Sequence, residues 1–203
     1  MSLKSHGITN ETINNIMLNA GVFYKNLTYQ NGDWTGTVVG ATSGGGTINI
    51  EPEYLDVEVD GATVAVKGLT KQKVGETATM EMNLTELTEG VVVKALNLVE
   101  DSSKSNEAYT CYTTKTNIDT TDYLKNVAFV GTTTAGRHII AIFPNAICTS
   151  AFSLSGQNKT QATYTVQYQC TASLESDNLT KLPIELYFPV IPTSGEPPLP
   201  KVN

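Results

Sequence analysis

The amino-acid sequence predicts an α+β domain that is mostly β, folded as a β-sandwich or a closed barrel with one or two flanking helices. Short segments that alternate apolar and polar residues recur along most of the chain, which is typical of half-buried strands. Gly, Pro and Asn-Gly turns separate these segments. The length of 203 residues fits a single domain of this class.

Composition excludes several classes of protein. Hydrophobic residues make up 40% of the chain and charged residues 16%, which argues against a disordered chain and against a coiled coil. The net charge of -7 argues against a protein that binds nucleic acid by neutralising phosphates. The apolar runs are too short to predict a membrane-spanning helix.

The sequence divides into three parts. Residues 1–7 contain no apolar segment of the kind found in a secretory signal, and we interpret them as a tag remnant or a disordered N-terminus. Residues 8–188 are predicted to form the single domain. Residues 189–203 are Pro-rich, and we expect an extended C-terminal arm, because proline neither continues a helix nor donates to a central strand.

The first predicted elements are a helix and a hairpin. The segment Thr9–Gly21 carries apolar residues at helical spacing. These residues are Ile13, Ile16, Met17 and Ala20. Strands Val22–Tyr29 and Trp34–Val39 follow, and Asn31-Gly32 between them is typical of a tight hairpin turn.

A Gly-rich segment and an acidic strand come next. Ser43–Gly46 lacks the lysine and the following helix of a phosphate-binding loop, so it predicts a flexible link or a tight bend. Beyond it, apolar and acidic residues alternate, which predicts a strand with one face toward the core. The residues expected to face the core are Leu55, Val57 and Val59, and those expected to face outward are Asp56, Glu58 and Asp60. Carboxylates on a strand supply too few converging oxygens for calcium, so a solvated acidic surface is favoured.

The remaining chain is predicted to be almost entirely strand. Glu76–Leu84 alternates, with Ala78, Met80, Met82 and Leu84 on one face. Thr85–Leu98 changes to a helical period, with Thr88 as the N-cap. The later predicted strands are Ala108–Thr116, Leu124–Thr132, Arg137–Phe143, Ala146–Leu154, Ala162–Ala172 and Pro183–Phe188.

Residue types that perform catalysis are sparse. Neither His6 nor His138 has a second His or Cys at metal-ligand spacing. Cys111, Cys148 and Cys170 form no CxxC pair, and we interpret them as free thiols. The sequence predicts no catalytic, cofactor or metal site, and we do not expect an enzyme.

Several segments, in this order and spacing, resemble the major tail protein, or tail tube protein, of long-tailed bacteriophages, in particular of prophages of Gram-positive hosts. The segments are Val38–Gly68, Ala78–Thr88, Asp122–Gly131 and Leu182–Pro189. The resemblance runs from about Gly21 to Pro189.

The resemblance implies a β-sandwich-like domain with a flanking helix, whose subunits form hexameric rings that stack into a hollow tail tube. Tape-measure protein and DNA would pass through the lumen, the DNA without specific binding, and tail initiator and terminator proteins would be further partners. The tube would assemble in the host bacterial cytoplasm and reside in the virion. No cofactor is implied. In such a ring we expect Asp56, Glu58 and Asp60 to face the lumen, and Leu199 and Val202 in the arm to contact a neighbouring subunit.

A secreted or surface-displayed carbohydrate-binding or adhesin module is the alternative function, because it would also be β-rich, Thr-rich and acidic. Such a module needs a surface platform of aromatic rings, for which Tyr24, Tyr29 and Trp34 are the candidates. Cross-strand packing within a hairpin is the competing explanation for the same residues.

Overall fold

The computed structural model describes residues 6–9, 12–153, 158–176 and 179–190. Strands hold 47% of the chain and helices 7%, so the predicted α+β, mostly β, sandwich-like class is confirmed. The strands of the described residues are β1 (Val22–Gln30), β2 (Asp33–Val38), β3 (Thr42–Asp56), β4 (Lys71–Leu84), β5 (Leu98–Glu100), β6 (Tyr112–Thr114), β7 (Leu124–Thr132), β8 (His138–Cys148), β9 (Tyr164–Cys170) and β10 (Glu185–Tyr187). The helical elements are α1 (Thr12–Asn15), α2 (Glu89–Ala95) and a 3-10 turn (Thr120–Asp122).

One antiparallel sheet organises the domain. Its strand order is β2-β1-β7-β8-β9-β4-β3, β10 pairs with β8, and β5 and β6 pair separately. The largest fully buried side chains are Phe23, Met80, Met82, Leu84, Val127, Phe143, Val166 and Tyr168. Because these residues come from both halves of the sheet and form one cluster, the sheet folds over on itself to enclose its core.

The Gly-rich segment Ser43–Gly46 is a β-bulge inside β3 and not a flexible link. Gly44 and Gly45 have φ angles of 82° and 75°, and the register with β4 shifts at this point. A Cβ on Gly46 would lie 2.3 Å from the ring of Phe23 and 2.5 Å from the backbone carbonyl oxygen of Glu81. Glycine therefore lets β1 pack directly on β3, although the two strands lie near opposite ends of the sheet.

The predicted helix Thr9–Gly21 is wrong beyond Asn15. Instead, the chain runs alongside the end of β7, where the amide of Thr134 donates to the carbonyl of Ile16 over 2.8 Å. The side chain of Met17 covers Gly131 at the same place. These tertiary contacts prevail because an Asn-rich segment has a low intrinsic helix propensity.

The predicted strand break at Pro144 is also wrong, because β8 runs through it. Pro144 lies where β8 changes neighbours: β10 pairs with it up to Ile142, and β9 pairs with it from Ala146. On the opposite edge the register with β7 skips Asn126, whose φ is 48°. The missing N–H of the proline therefore falls in a gap of the hydrogen-bond ladder.

Several local predictions are confirmed. The hairpin turn has φ angles of 54° at Asn31 and 92° at Gly32, as a type I′ turn requires. Strand β7 has the predicted bounds. Helix α2 follows Thr88, although the Thr88 side chain makes no capping hydrogen bond, and it ends at Ala95, whereas Leu98, predicted to be helical, begins β5. The inward face of β4 is buried as predicted, at Ala78, Met80, Met82 and Leu84. The predicted strand Ala108–Thr116 is reduced to the short β6.

Glu76 attaches the C-terminal segment to β4. Its side chain, 10% exposed, accepts a hydrogen bond of 2.6 Å from the backbone N–H of Leu182 and pairs with the ammonium of Lys73. The hydrogen bond from Lys73, followed by that from Leu182, lowers the pKa of Glu76 below its ordinary value of 4.5. Because the folded pKa is the lower one, the stabilisation is fully present above the unfolded pKa and disappears as the pH falls through the folded pKa.

We therefore expect Glu76→Gln to lower the free energy of unfolding by about 1 kcal/mol at pH 7. The difference from the wild type should shrink toward zero as the pH falls through the lowered pKa of Glu76, because the wild-type carboxylate then becomes protonated as well. Urea unfolding at several pH values measures this. Glu53→Gln, at an exposed position of β3, is the matched control and should change little. A deficit that does not depend on pH would contradict the role assigned to the Glu76 charge.

Candidate assembly surfaces

A long two-stranded hairpin projects from the sheet. Strand β4 pairs with β9 only from Thr79 to Leu84, so the remaining part of β4 has β3 as its single neighbour. We call residues 51–74 the distal hairpin; none of these residues, all of which are described, is buried. The strand part from Glu51 to Asp56 alone extends about 20 Å.

The distal hairpin carries many apolar side chains without covering them. Its exposed large apolar residues are Tyr54, Leu55, Val59, Val64, Val66, Leu69 and Val74. A two-stranded hairpin without a core is marginally stable in water. An exposed apolar surface of this size marks an interaction site, so the distal hairpin is the strongest candidate for a contact with another molecule.

The acidic residues lie on the distal hairpin, but the prediction that the apolar residues between them face a core is wrong. Strand β3 ends at Asp56, and Leu55 and Val59 are 54% and 41% exposed, so they do not face the core as predicted. The prediction assumed that a strand with alternating residues has a core on one face. Here only the β3–β4 pair continues, beyond the part of β4 that pairs with β9. Asp56, Glu58 and Asp60 are exposed, as predicted.

The acidic residues sit around a shallow depression. Its volume is ≈ 490 Å³, and it is lined by residues 56–65 together with Thr70 and Lys71. The ammonium of Lys71 lies 2.9 Å from a carboxylate oxygen of Asp56, with both side chains more than half exposed. An exposed pair of this kind adds at most about 1 kcal/mol, so the depression keeps an acidic, solvated character.

The aromatic residues of the first hairpin are cross-strand neighbours. Tyr29 and Trp34 are register partners with ring centroids 5.1 Å apart. Tyr187 of β10 joins them, with its ring 5.0 Å from that of Trp34, and Tyr24 packs with Trp34 against the buried cluster of Leu27, Ala128, Ile140 and Ile142. Sequence reasoning missed Tyr187, because no local pattern links it to a hairpin more than 150 residues earlier. The rings are tilted by 52° and 76°, so they form a ridge and not a flat platform.

Both ends of the sheet order are open edges within the described part of the chain. Strand β2 pairs only with β1, and β3 pairs only with β4. An edge strand offers backbone donors and acceptors to another strand, and natural proteins either block such edges or use them for association. The C-terminal candidates Leu199 and Val202 lie outside the described residues.

A buried ion-pair cluster lies before the start of β7. Asp122, 4% exposed, pairs with the ammonium of Lys115 over 2.6 Å, and Asp119 binds the same ammonium over 2.9 Å. The hydrogen bond to Asp122, followed by that to Asp119, raises the pKa of Lys115. Asp119 also caps the 3-10 turn. This cluster holds the segment that enters β7.

Thiols and imidazoles are the candidates for nucleophilic or metal chemistry. Cys111, Cys148 and Cys170 are free thiols, and burial raises the pKa of Cys170 to about 12, which keeps it unreactive. His138 lies beside Thr132, with Nδ1 3.1 Å from the hydroxyl oxygen. Across the ranges that the structure describes, no group of three or more His, Cys, Asp or Glu side chains is placed to hold a metal ion.

No protein-family model matches the chain, and no curated protein is similar to it. Among the described residues, no helix is long and apolar enough to cross a membrane. The fold and its uncovered surfaces therefore carry the functional argument.

Proposed function

We propose that the protein is a structural subunit of a bacteriophage tail tube, forming stacked hexameric rings whose lumen conducts DNA. The observation that carries the proposal is the distal hairpin, which projects from the sheet with its apolar side chains uncovered. A monomer gains nothing from such an element, whereas a ring or a stack of rings supplies the missing surface for every copy.

The open edges of the sheet support the same proposal. A tube requires head-to-tail contacts, in which one surface of a subunit meets a different surface of the next. Strands β2 and β3 are the two different edges of one sheet, so pairing between β2 of one copy and β3 of another would repeat around a ring and remove both edges.

Charge suits the proposed passage of DNA. The net charge of -7 and the exposed carboxylates of the distal hairpin would repel phosphates and not hold them. Tape-measure, initiator and terminator proteins are the further partners in this proposal, and the tube is assembled in the host bacterial cytoplasm before it becomes part of the virion.

The carbohydrate-binding or adhesin module remains the alternative function, because Tyr29 and Tyr187 are 58% and 42% exposed. The tilt of the rings favours packing over the stacking of a flat sugar ring. Two measurements distinguish the functions. Negative-stain microscopy of concentrated protein, with and without co-expressed tail initiators, tests the tail-tube proposal, and a glycan array tests the carbohydrate-binding alternative. Rings or tubes of uniform bore would support it. A strict monomer in mature particles, or a specific glycan ligand without assemblies, would overturn it.

The acidic residues provide a separate prediction. The variant carries Lys at all three positions, Asp56, Glu58 and Asp60. If these residues line the bore, DNA ejection from phage particles should slow or stall, because the new positive charges attract phosphates. The effect should be larger at low salt, where screening is weak. The control variant carries Asn, Gln and Asn at these positions and should eject normally, since it adds no positive charge. Unchanged ejection through well-formed tubes of the Lys variant would assign these carboxylates to the outer surface.

A further inference from the structure

Three aromatic rings from distant parts of the chain form a ridge on the outer face of the sheet. Tyr29, Trp34 and Tyr187 follow one another at centroid distances of 5.1 and 5.0 Å, and we call them the aromatic ridge. The ridge stands on a firm base. Beneath it lies the buried cluster of Leu27, Ala128, Ile140 and Ile142, which belongs to the face opposite the main core.

The ridge is shaped for an extended apolar ligand. Neighbouring rings are in contact and tilted by 52° and 76°, so they present edges and faces instead of one flat surface. Exposed aromatic surfaces bind polyproline II segments, because proline rings pack on the aromatic rings and the stiff ligand loses little conformational entropy. Tyr29 and Tyr187 remain 58% and 42% exposed, so the described residues leave the ridge accessible.

The chain itself contains a segment of this chemistry. Residues 189–203 read PVIPTSGEPPLPKVN and hold five of the eight prolines, including the run Pro197–Pro200. Lys201 follows this run directly. The ridge is flanked by carboxylates of the opposite sign, since the hydroxyl of Tyr187 donates to Glu185 over 2.7 Å and Asp33 precedes Trp34.

The point where the segment leaves the domain indicates which copy it reaches. Phe188 and Val190 are 67% and 89% exposed, so these two side chains make little contact with their own domain. If the segment that follows is extended, at about 3.1 Å per residue, Pro197 would lie about 30 Å from Tyr187. The ridge spans roughly 10 Å by its centroid distances, so an extended segment would carry the run beyond its own ridge.

We propose that the Pro197–Pro200 run of one copy docks on the aromatic ridge of a second copy, with Leu199 against the rings and Lys201 near Glu185 and Asp33. The docking rests on the proposed self-assembly for its role, because the second copy is a neighbouring subunit. It gives that assembly a peptide contact that is separate from the distal hairpin.

Trp34 is the only tryptophan of the chain, so its fluorescence reports directly on the ridge. A synthetic peptide of residues 189–203 is titrated into the full chain at a concentration where the chain is monomeric. We expect a saturable change in Trp34 emission. A peptide with Ala in place of Pro197, Pro198 and Pro200 should bind at least tenfold more weakly, and Lys201→Glu several-fold more weakly.

Protein variants localise the contact. Tyr29→Ala removes one ring at an exposed position and should weaken peptide binding at least fivefold, whereas Tyr109→Ala, 77% exposed elsewhere, should not change it. Absence of a saturable signal, equal binding of the Ala peptide, or a response to glycans in its place would overturn the docking. Truncation of the arm is the last test. If it changes Trp34 emission by the same amount at every protein concentration, the arm lies on its own ridge, and the contact between copies is overturned.

The two proposals can fail separately. Peptide binding without rings or tubes in microscopy would overturn the tail-tube function and leave the docking intact. Normal tubes formed by protein whose ridge does not bind the peptide would overturn the docking alone.

Discussion

Shortening the distal hairpin is expected to abolish tube formation while the domain stays folded. In the variant, Asn-Gly replaces residues 55–72, so that Tyr54 and Lys73, which are register partners, flank a type I′ turn. The Lys73–Glu76 ion pair is kept. No removed residue is buried, so the change in free energy of unfolding should be within about 1 kcal/mol and the Tm within about 4 °C.

A variant with the full-length hairpin shows whether tubes need the apolar side chains of the hairpin or only its length. Replacing Leu55, Val59, Val64 and Val66 with Ser keeps the hairpin and should also prevent tubes, because it removes the uncovered apolar surface. Leu174→Ser is the matched control: this side chain is 92% exposed outside the hairpin and should be dispensable. Calorimetry and negative-stain microscopy give the two measurements. Tubes of normal length from the shortened variant would remove the main support for the proposed function.

Gly46→Ala is expected to be strongly destabilising, although it adds a single methyl group. The new Cβ would lie 2.3 Å from the ring of Phe23, which is fully buried, and 2.5 Å from the carbonyl oxygen of Glu81 in the paired strand. The ring could shift, but the backbone oxygen cannot move without opening the β3–β4 ladder. We expect a loss of about 3 kcal/mol, which corresponds to a Tm lowered by roughly 10 °C.

Gly90→Ala is the matched control for this prediction. Gly90 lies in α2, and the nearest atom to its Cβ position is the ammonium of Lys25 at 3.9 Å. Alanine should therefore stabilise the protein by about 0.5–1 kcal/mol through helix propensity and the smaller entropy of the unfolded chain. Thermal unfolding of both variants tests the packing of β1 on β3. Equal Tm values would show that Phe23 and Gly46 are not in contact.

The parts of the fold that depend on local chemistry were predictable from sequence. The Asn31-Gly32 turn needs two residues with positive φ, and the alternation from Ala78 to Leu84 describes a strand with a core on one side. The parts that depend on distant partners were not. The helical spacing around Ile16 and Met17 is overridden by contacts with β7, and Pro144 is tolerated only because β8 changes neighbours there.

The candidate surfaces divide in the same way. The sequence pattern drew attention to Asp56, Glu58 and Asp60. The same pattern was taken to mean that the alternate residues face a core, but Leu55 and Val59 are exposed. Periodicity shows which residues share a strand face, yet it carries no information on whether another layer covers that face. The ridge depended on Tyr187, whose position follows from the pairing of β10 with β8.

The attachment of β10 has a consequence for the order of synthesis. Tyr187 and the backbone N–H of Leu182 come from the last part of the domain to leave the ribosome, and they complete contacts begun by Trp34 and Glu76. A chain interrupted before residue 182 can form the β1–β2 hairpin and the β3–β4 hairpin, but it lacks the third ring of the ridge and the partner of Glu76. Incomplete chains therefore differ from finished subunits at the ridge, so an incomplete copy offers no complete ridge to the proposed contact with the arm of a finished one.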